Sequence, residues 1–155
     1  MKRFILTAIL VISIIGGKVF AAGEEKVSRQ AKETFSKEFP SAEFAKWEEI
    51  NESGIFLVRF VYNNQGFVAY FNEVGMMVAS ARLVTIENLP YKVSQVIRKQ
   101  YAGNEIIKIE ELTMESTLSY FFTLQNEKAK SLIRVYHDGT VQKVNEEKKK
   151  NSNNK

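Results

Sequence analysis

The sequence predicts an α+β protein: a tandem repeat of one helix plus a four-stranded antiparallel meander, with the two sheets side by side and both helices on one face. Three observations carry this. The stretch AKETFSKEFPSAEFAKW overlies VSQVIRKQYAGNEIIKI at a constant shift of 62 residues, so that Ala31 meets Val93, Phe35 meets Ile97, Phe39 meets Tyr101 and Trp47 meets Ile109. Within each half the apolar spacing changes from every fourth residue to alternation, in the same order. Short segments rich in Asn, Asp and Gly (NNQG, NEVG, HDG) then separate the alternating runs, and such turns join antiparallel neighbours.

Val27, Ala31, Phe35 and Phe39 form one apolar stripe on a first helix, and Leu89, Val93, Ile97 and Tyr101 repeat it on a second. Pro40 stops the first helix. Pro90 fits the first turn of the second, and Gly103 is its expected left-handed cap. Strands are expected near residues 44–50, 55–62, 66–71 and 76–83, then near 105–113, 118–125, 130–136 and 140–144. Gly75 meets Gly139 at a shift of 64, and the two extra residues are placed in the turn that follows Tyr62 and Leu124. A unit of about 60 residues hides only about 60% of its unfolded surface, so joining two is a means of enlarging a core.

The first residues read as a removable leader. Lys2 and Arg3 precede an uncharged apolar run from Phe4 to Ile15, and small residues follow near Ala21. The run is 12 residues long, whereas a membrane-spanning helix needs roughly 20. The expected domains are thus a signal peptide, 1–21, cut between Ala21 and Ala22; a first repeat, 22–83; a second, 84–144; and a disordered basic tail, 145–155. Such a chain is periplasmic or secreted and keeps no integral membrane segment after cleavage. With no cysteine, its core stands without disulfides. Loss of Lys2, Arg3 and Lys18 takes the formal charge from +4 to +1, and the tail accounts for more than that remainder. The folded part therefore lacks the basic footprint of a nucleic-acid reader.

Alternation assigns the faces. Phe56, Val58, Phe60 and Tyr62 share one face of their strand with Leu118, Tyr120, Phe122 and Leu124 as counterparts; Phe67, Ala69 and Phe71 join them, and these lie under the helix. The opposite, outer face collects Leu57, Arg59, Val61, Val68, Tyr70, Phe121, Leu132, Arg134 and Tyr136. Open aromatic, aliphatic and arginine side chains together make a partner-binding surface. A homodimer or a curled sheet would hide the same residues, and strand propensity alone also favours Tyr, Val and Arg there.

The inventory of reactive groups is thin. His137 is the one histidine and Asp138 the one aspartate, adjacent in the turn YHDGT, and no cysteine is present. Cys-His catalysis and thiolate metal sites are excluded, and a Ser-His-Asp relay does not fit neighbours in one turn. Glu48, Glu49, Glu110 and Glu111 recur at matching places, but adjacent strand residues point to opposite faces, and a solvated strand end accounts for them. Trp47 matches Ile109, which favours packing over sugar stacking. No metal ligand set and no cofactor loop stands out, and an enzyme is not expected.

A helix ending in FP with FAKW after it, the strands FLVRFVY and FVAYFNEVG, and LPYKVSQVIRKQY leading to IIKIEEL together resemble the PepSY-like family of exported bacterial proteins. That family is related in fold to beta-lactamase inhibitor protein, whose tandem repeats offer a concave sheet to a protein partner. The resemblance spans roughly residues 26–144 and implies a nonenzymatic, inhibitor-like binding module for an envelope protein or peptide. Where such proteins often carry an acidic residue before the turn glycine, Val74 stands here. The competing reading is a sensor or accessory protein that binds a peptide or an envelope polymer.

Overall fold

The computed structural model describes residues 26–50 and 54–149. The expected leader and the last six residues of the tail lie outside them. Helix α1 is Arg29–Glu38, followed by β1 (Glu43–Glu49), β2 (Ile55–Tyr62), β3 (Gln65–Asn72) and β4 (Met77–Leu83). A 3₁₀ turn at Ile86–Asn88 leads to α2 (Tyr91–Gln100), β5 (Glu105–Met114), β6 (Thr117–Gln125), β7 (Ala129–Tyr136) and β8 (Val141–Lys148). The fold is α+β, with eight antiparallel strands ordered as in the chain and two helices. Contacts divide it into two compact units, residues up to Met77 and residues from Val78 onward.

In the first unit, Ser28 starts α1: its Oγ accepts a hydrogen bond from Ala31 N at 3.2 Å, satisfying one of the amides a helix start leaves open. Phe39, ahead of Pro40, leaves the helical region with φ −129°. The stripe Val27, Ala31, Phe35 and Phe39 packs on Phe56, Val58, Phe60, Ala69 and Phe71 of β2 and β3, with Trp47 of β1 at its side. Phe56 pairs with Phe71 and Phe60 with Phe67 across an Asn63-Asn64 turn in which both asparagines have positive φ. Gly75, at φ +79°, brings the next turn against α1, where a β-carbon would lie 2.5 Å from Gln30 Cβ and 2.8 Å from Ala31 N. Only glycine fits there.

In the second unit, Leu89, Val93 and Ile97 pack on Ile109, Tyr120, Phe122, Leu124, Ile133 and Val135. Pro90 immediately precedes α2 without a side-chain cap. Tyr101 ends that helix, and Gly103 beyond it does not adopt positive φ, so the expected glycine cap is absent. Gly139 does, at φ +92°, and an added β-carbon would meet only Val96 Cγ2 at 3.3 Å and the Lys92 backbone beyond it. The expected end of the last strand near Val144 is also corrected. β8 continues to Lys148, with Ser131 opposite Glu146, Lys130 opposite Glu147 and Ala129 opposite Lys148. Asn145 to Lys148 are sheet because β7 supplies a complete ladder for them, although their side chains are solvated.

Candidate functional site

The sheet face turned away from the helices follows from cross-strand partners, since residues directly opposite share a face. In the first unit Glu48 lies opposite Leu57, which lies opposite Tyr70; Lys46, Arg59 and Val68 form the next row. In the second unit one row is Glu110, Phe121, Arg134 and Gln142, and another is Lys108, Thr123, Leu132 and Asn145. Tyr136 pairs with Ser119, opposite Leu112. Each of the nine residues expected on the outer face lies on the face of its own unit turned away from that unit's helix.

Their exposure differs from expectation. Leu57, Val68 and Tyr70 are at most 2% exposed, and Phe121 and Arg134 are at most 6% exposed. These five are interior, and an open patch of nine is not what forms. Arg59, Val61, Leu132 and Tyr136 remain half-buried and reach the surface. Alternation identifies a face but carries no information on how much of it water reaches.

The face carries an ordered set of charges. Arg59 Nη1 donates to Glu48 Oε1 at 2.6 Å. Lys108 Nζ lies 2.8 Å from Glu110 Oε2, and Glu110 is buried. Arg134 Nε donates to Ser119 Oγ at 3.0 Å, and its guanidinium carbon lies 4.5 Å from the Tyr136 ring centroid and 5.5 Å from that of Phe121. On the helix side, Arg82 Nε donates to Glu111 Oε1 at 2.7 Å, and Lys26 lies 3.9 Å from Glu49. The four glutamates are therefore not a solvated strand end: each is engaged by a cation. Burial pushes the Tyr120 hydroxyl up from its ordinary value, and the adjacent Glu111 carboxylate adds to this against the opposing Arg82.

Ser119 falls on this face by the alternation of β6, whereas Lys108 and Glu110 are members that spacing does not reveal. A bulge between Ile106 and Lys108 shifts the register of β5, and a matching one lies between Glu43 and Lys46 in β1, so alternation counted from either strand start misplaces these side chains. Trp47 packs as expected, its ring centroid 5.4 Å from those of Phe35 and Phe71. His137 is exposed in the turn, where Asp138 Oδ1 accepts from Thr140 N at 2.8 Å; that bond holds the Asp138 carboxyl below its usual range. Among the described residues no three His, Asp or Glu side chains converge as a metal site would need.

No family model matches the chain, and no curated protein does. Solved structures do. A BLIP-like protein from Bacteroides fragilis aligns with a TM-score of 0.66 at 16% identity, over 83% of this chain and 90% of that one. The fold is BLIP-like. A DUF2874 family protein from Bacteroides uniformis also aligns with this chain, with a TM-score of 0.68 at 13% identity over 78% and 88% of the two chains. A Bacteroides eggerthii protein ascribed to the periplasm gives a TM-score of 0.69 at 13% identity over 79% and 88%. Among the described residues no helix is long and apolar enough to cross a membrane.

Proposed function

We propose that this chain is an exported, nonenzymatic binding module that recognises another envelope protein through the accessible part of its outer sheet face, in the manner of an inhibitor-like regulator. The observation that carries the reading is made in the second unit, where Leu132 and Tyr136 are half-exposed on the face that also holds Arg134; in the first unit the corresponding face exposes Val61 and Arg59 in part. Large apolar side chains desolvate well and Arg adds directed hydrogen bonds, which is the composition of interface centres. The BLIP-like fold and the periplasmic ascription of one structural neighbour agree with it.

The two halves are read as drifted copies of a PepSY-like unit. Trp47 lies opposite Val58 and Ile109 opposite Phe122; Phe56 lies opposite Phe71 and Tyr120 opposite Val135. On these pairings the shift is 62 through the first strand and already 64 in the second. The two extra residues then belong before β6 rather than in the turn after it. Phe56 corresponds to Tyr120, and Leu57 to Phe121.

The test immobilises the exported chain and captures proteins from an envelope extract, beside a variant with Arg59, Leu132 and Tyr136 changed to Ala. A protein retained by the parent and lost by the folded variant supports the reading. Equal retention by both removes the face from consideration.

A further inference from the structure

The outer face of the second unit holds a cation without an internal counter-ion. Ion pairs among the described residues join Arg59 to Glu48 and Lys108 to Glu110, but none includes Arg134. Arg134 is nonetheless 6% exposed. Removing water from a guanidinium is costly, and the rings of Phe121 and Tyr136 return only part of that. Its Nε is satisfied by Ser119 Oγ. The two terminal nitrogens find no partner among the described residues, yet no side-chain nitrogen cut off from solvent there is left without one. The terminal nitrogens of Arg134 therefore keep contact with solvent beside the Phe121 and Tyr136 rings.

We propose that this end is a recognition point for one carboxylate, that of an Asp or Glu side chain carried on a protruding loop of a protein partner. The proposal rests on the reading of the outer face as a protein-binding surface. Charge complementarity sets the ligand class. In the cross-strand rows around Arg134, Lys108 and Glu110 cancel, which leaves Arg134 as the one charge of those rows without an opposite, and one carboxylate matches it. The two parallel donors of the guanidinium fork fit the two oxygens of a carboxylate. Buried Glu110, opposite Phe121 on the same face, would repel a phosphate dianion more than a monoanion. Arg134 is only 6% exposed, so the anion must arrive on a stem, which an acidic side chain supplies.

The experiment follows the side-chain Nε–Hε resonance of Arg134 and the amides of Ser119 and Tyr136 by ¹H–¹⁵N NMR of the exported chain. The probes are N-acetyl-Gly-Glu-Gly-amide, its Gln counterpart, N-acetyl-Gly-Gly-Gly with a free C-terminus, and inorganic phosphate. The Glu peptide is expected to move these resonances saturably and more strongly than the other three. Arg134→Met keeps a stem between the rings and should weaken the response at least about tenfold, while Arg59→Met leaves it unchanged. Equal response to the Gln peptide, a stronger one to phosphate or to the free C-terminus, no response at all, or undiminished binding to a folded Arg134→Met overturns the proposal. A captured partner that is lost by Leu132→Ala but kept by Arg134→Met also overturns it while leaving the binding face standing. Retention by both variants overturns the two together.

Discussion

Beneath α1 the first unit packs rings. The Phe35 centroid lies 4.9 Å from Phe60, 5.4 Å from Trp47 and 5.6 Å from Phe39, and the contacts to Phe60 and Trp47 are edge to face. Beneath α2 the second unit places Val93 and Ile97 on Ile109, Ile133 and Val135, with Phe122 and Tyr120 as the only rings among its fully buried members. Edge-to-face rings are directional, and their geometry contributes beyond the area they bury. Branched aliphatics fill space less selectively. The same helix-on-strands arrangement is thus held by a few large contacts in one unit and many small ones in the other, so equivalent substitutions should differ in cost.

The largest expected difference is at the centre of each stripe. Phe35→Ala should lower stability by about 4 kcal/mol and Ile97→Ala by about 3 kcal/mol, read from urea midpoints at unchanged slope. A larger loss at Ile97 would break the comparison. The turn glycines come next. Gly75→Ala meets the backbone of α1 and should cost about 3 kcal/mol, whereas Gly139→Ala meets one movable methyl and should cost about 1.5 kcal/mol, most of it from positive φ. Equal losses would mean that backbone conformation, not the approach of the helix, dictates both.

Removal of the α1 cap by Ser28→Ala should cost about 1 kcal/mol in thermal or urea unfolding. α2 has no side-chain cap to lose. The smallest effect separates Tyr120 from Phe56, its counterpart in the proposed alignment. Burial, then Glu111, raise the Tyr120 pKa, so the folded state holds a proton that the unfolded chain releases near pH 10. Stability is fully present below that pH and falls as pH rises towards the folded value. Tyr120→Phe should make the alkaline decline of stability shallower, and an unaltered decline would show that Tyr120 does not contribute to it.

Much of this arrangement is legible from spacing. The four-residue stripes predict which helix side chains reach the core, and the alternation in β2, β3, β6 and β7 assigns their faces correctly because those strands are unbulged. β1 and β5 each contain a bulge, which no residue type announces, and the cross-strand placement of Lys108 and Glu110 is lost with the register. The end of β8 was hidden for a different reason. Asn145 to Lys148 have the composition of a solvated tail, and only their main chain is ordered by β7. At the outer face, parity placed Leu57, Val68, Tyr70, Phe121 and Arg134 correctly but could not report their burial. That Arg134 meets Ser119 and Tyr136, and no carboxylate among the described residues, depends on which side chains come together across strands, which is tertiary information.

The accessible remainder of the outer face can be compared directly with apolar side chains that lie elsewhere and are more exposed. Tyr91 is 76% exposed and Met76 60%, at the start of α2 and in the turn after β3. Hydroxyl-radical footprinting of residues 22–155, free and with a protein retained in the proposed envelope capture, reads both sets in one experiment. The account predicts that Leu132 and Tyr136 lose reactivity on binding while Tyr91 and Met76 keep theirs. Protection of Tyr91 or Met76 with Leu132 and Tyr136 unchanged would contradict it and move the recognition surface off the outer face.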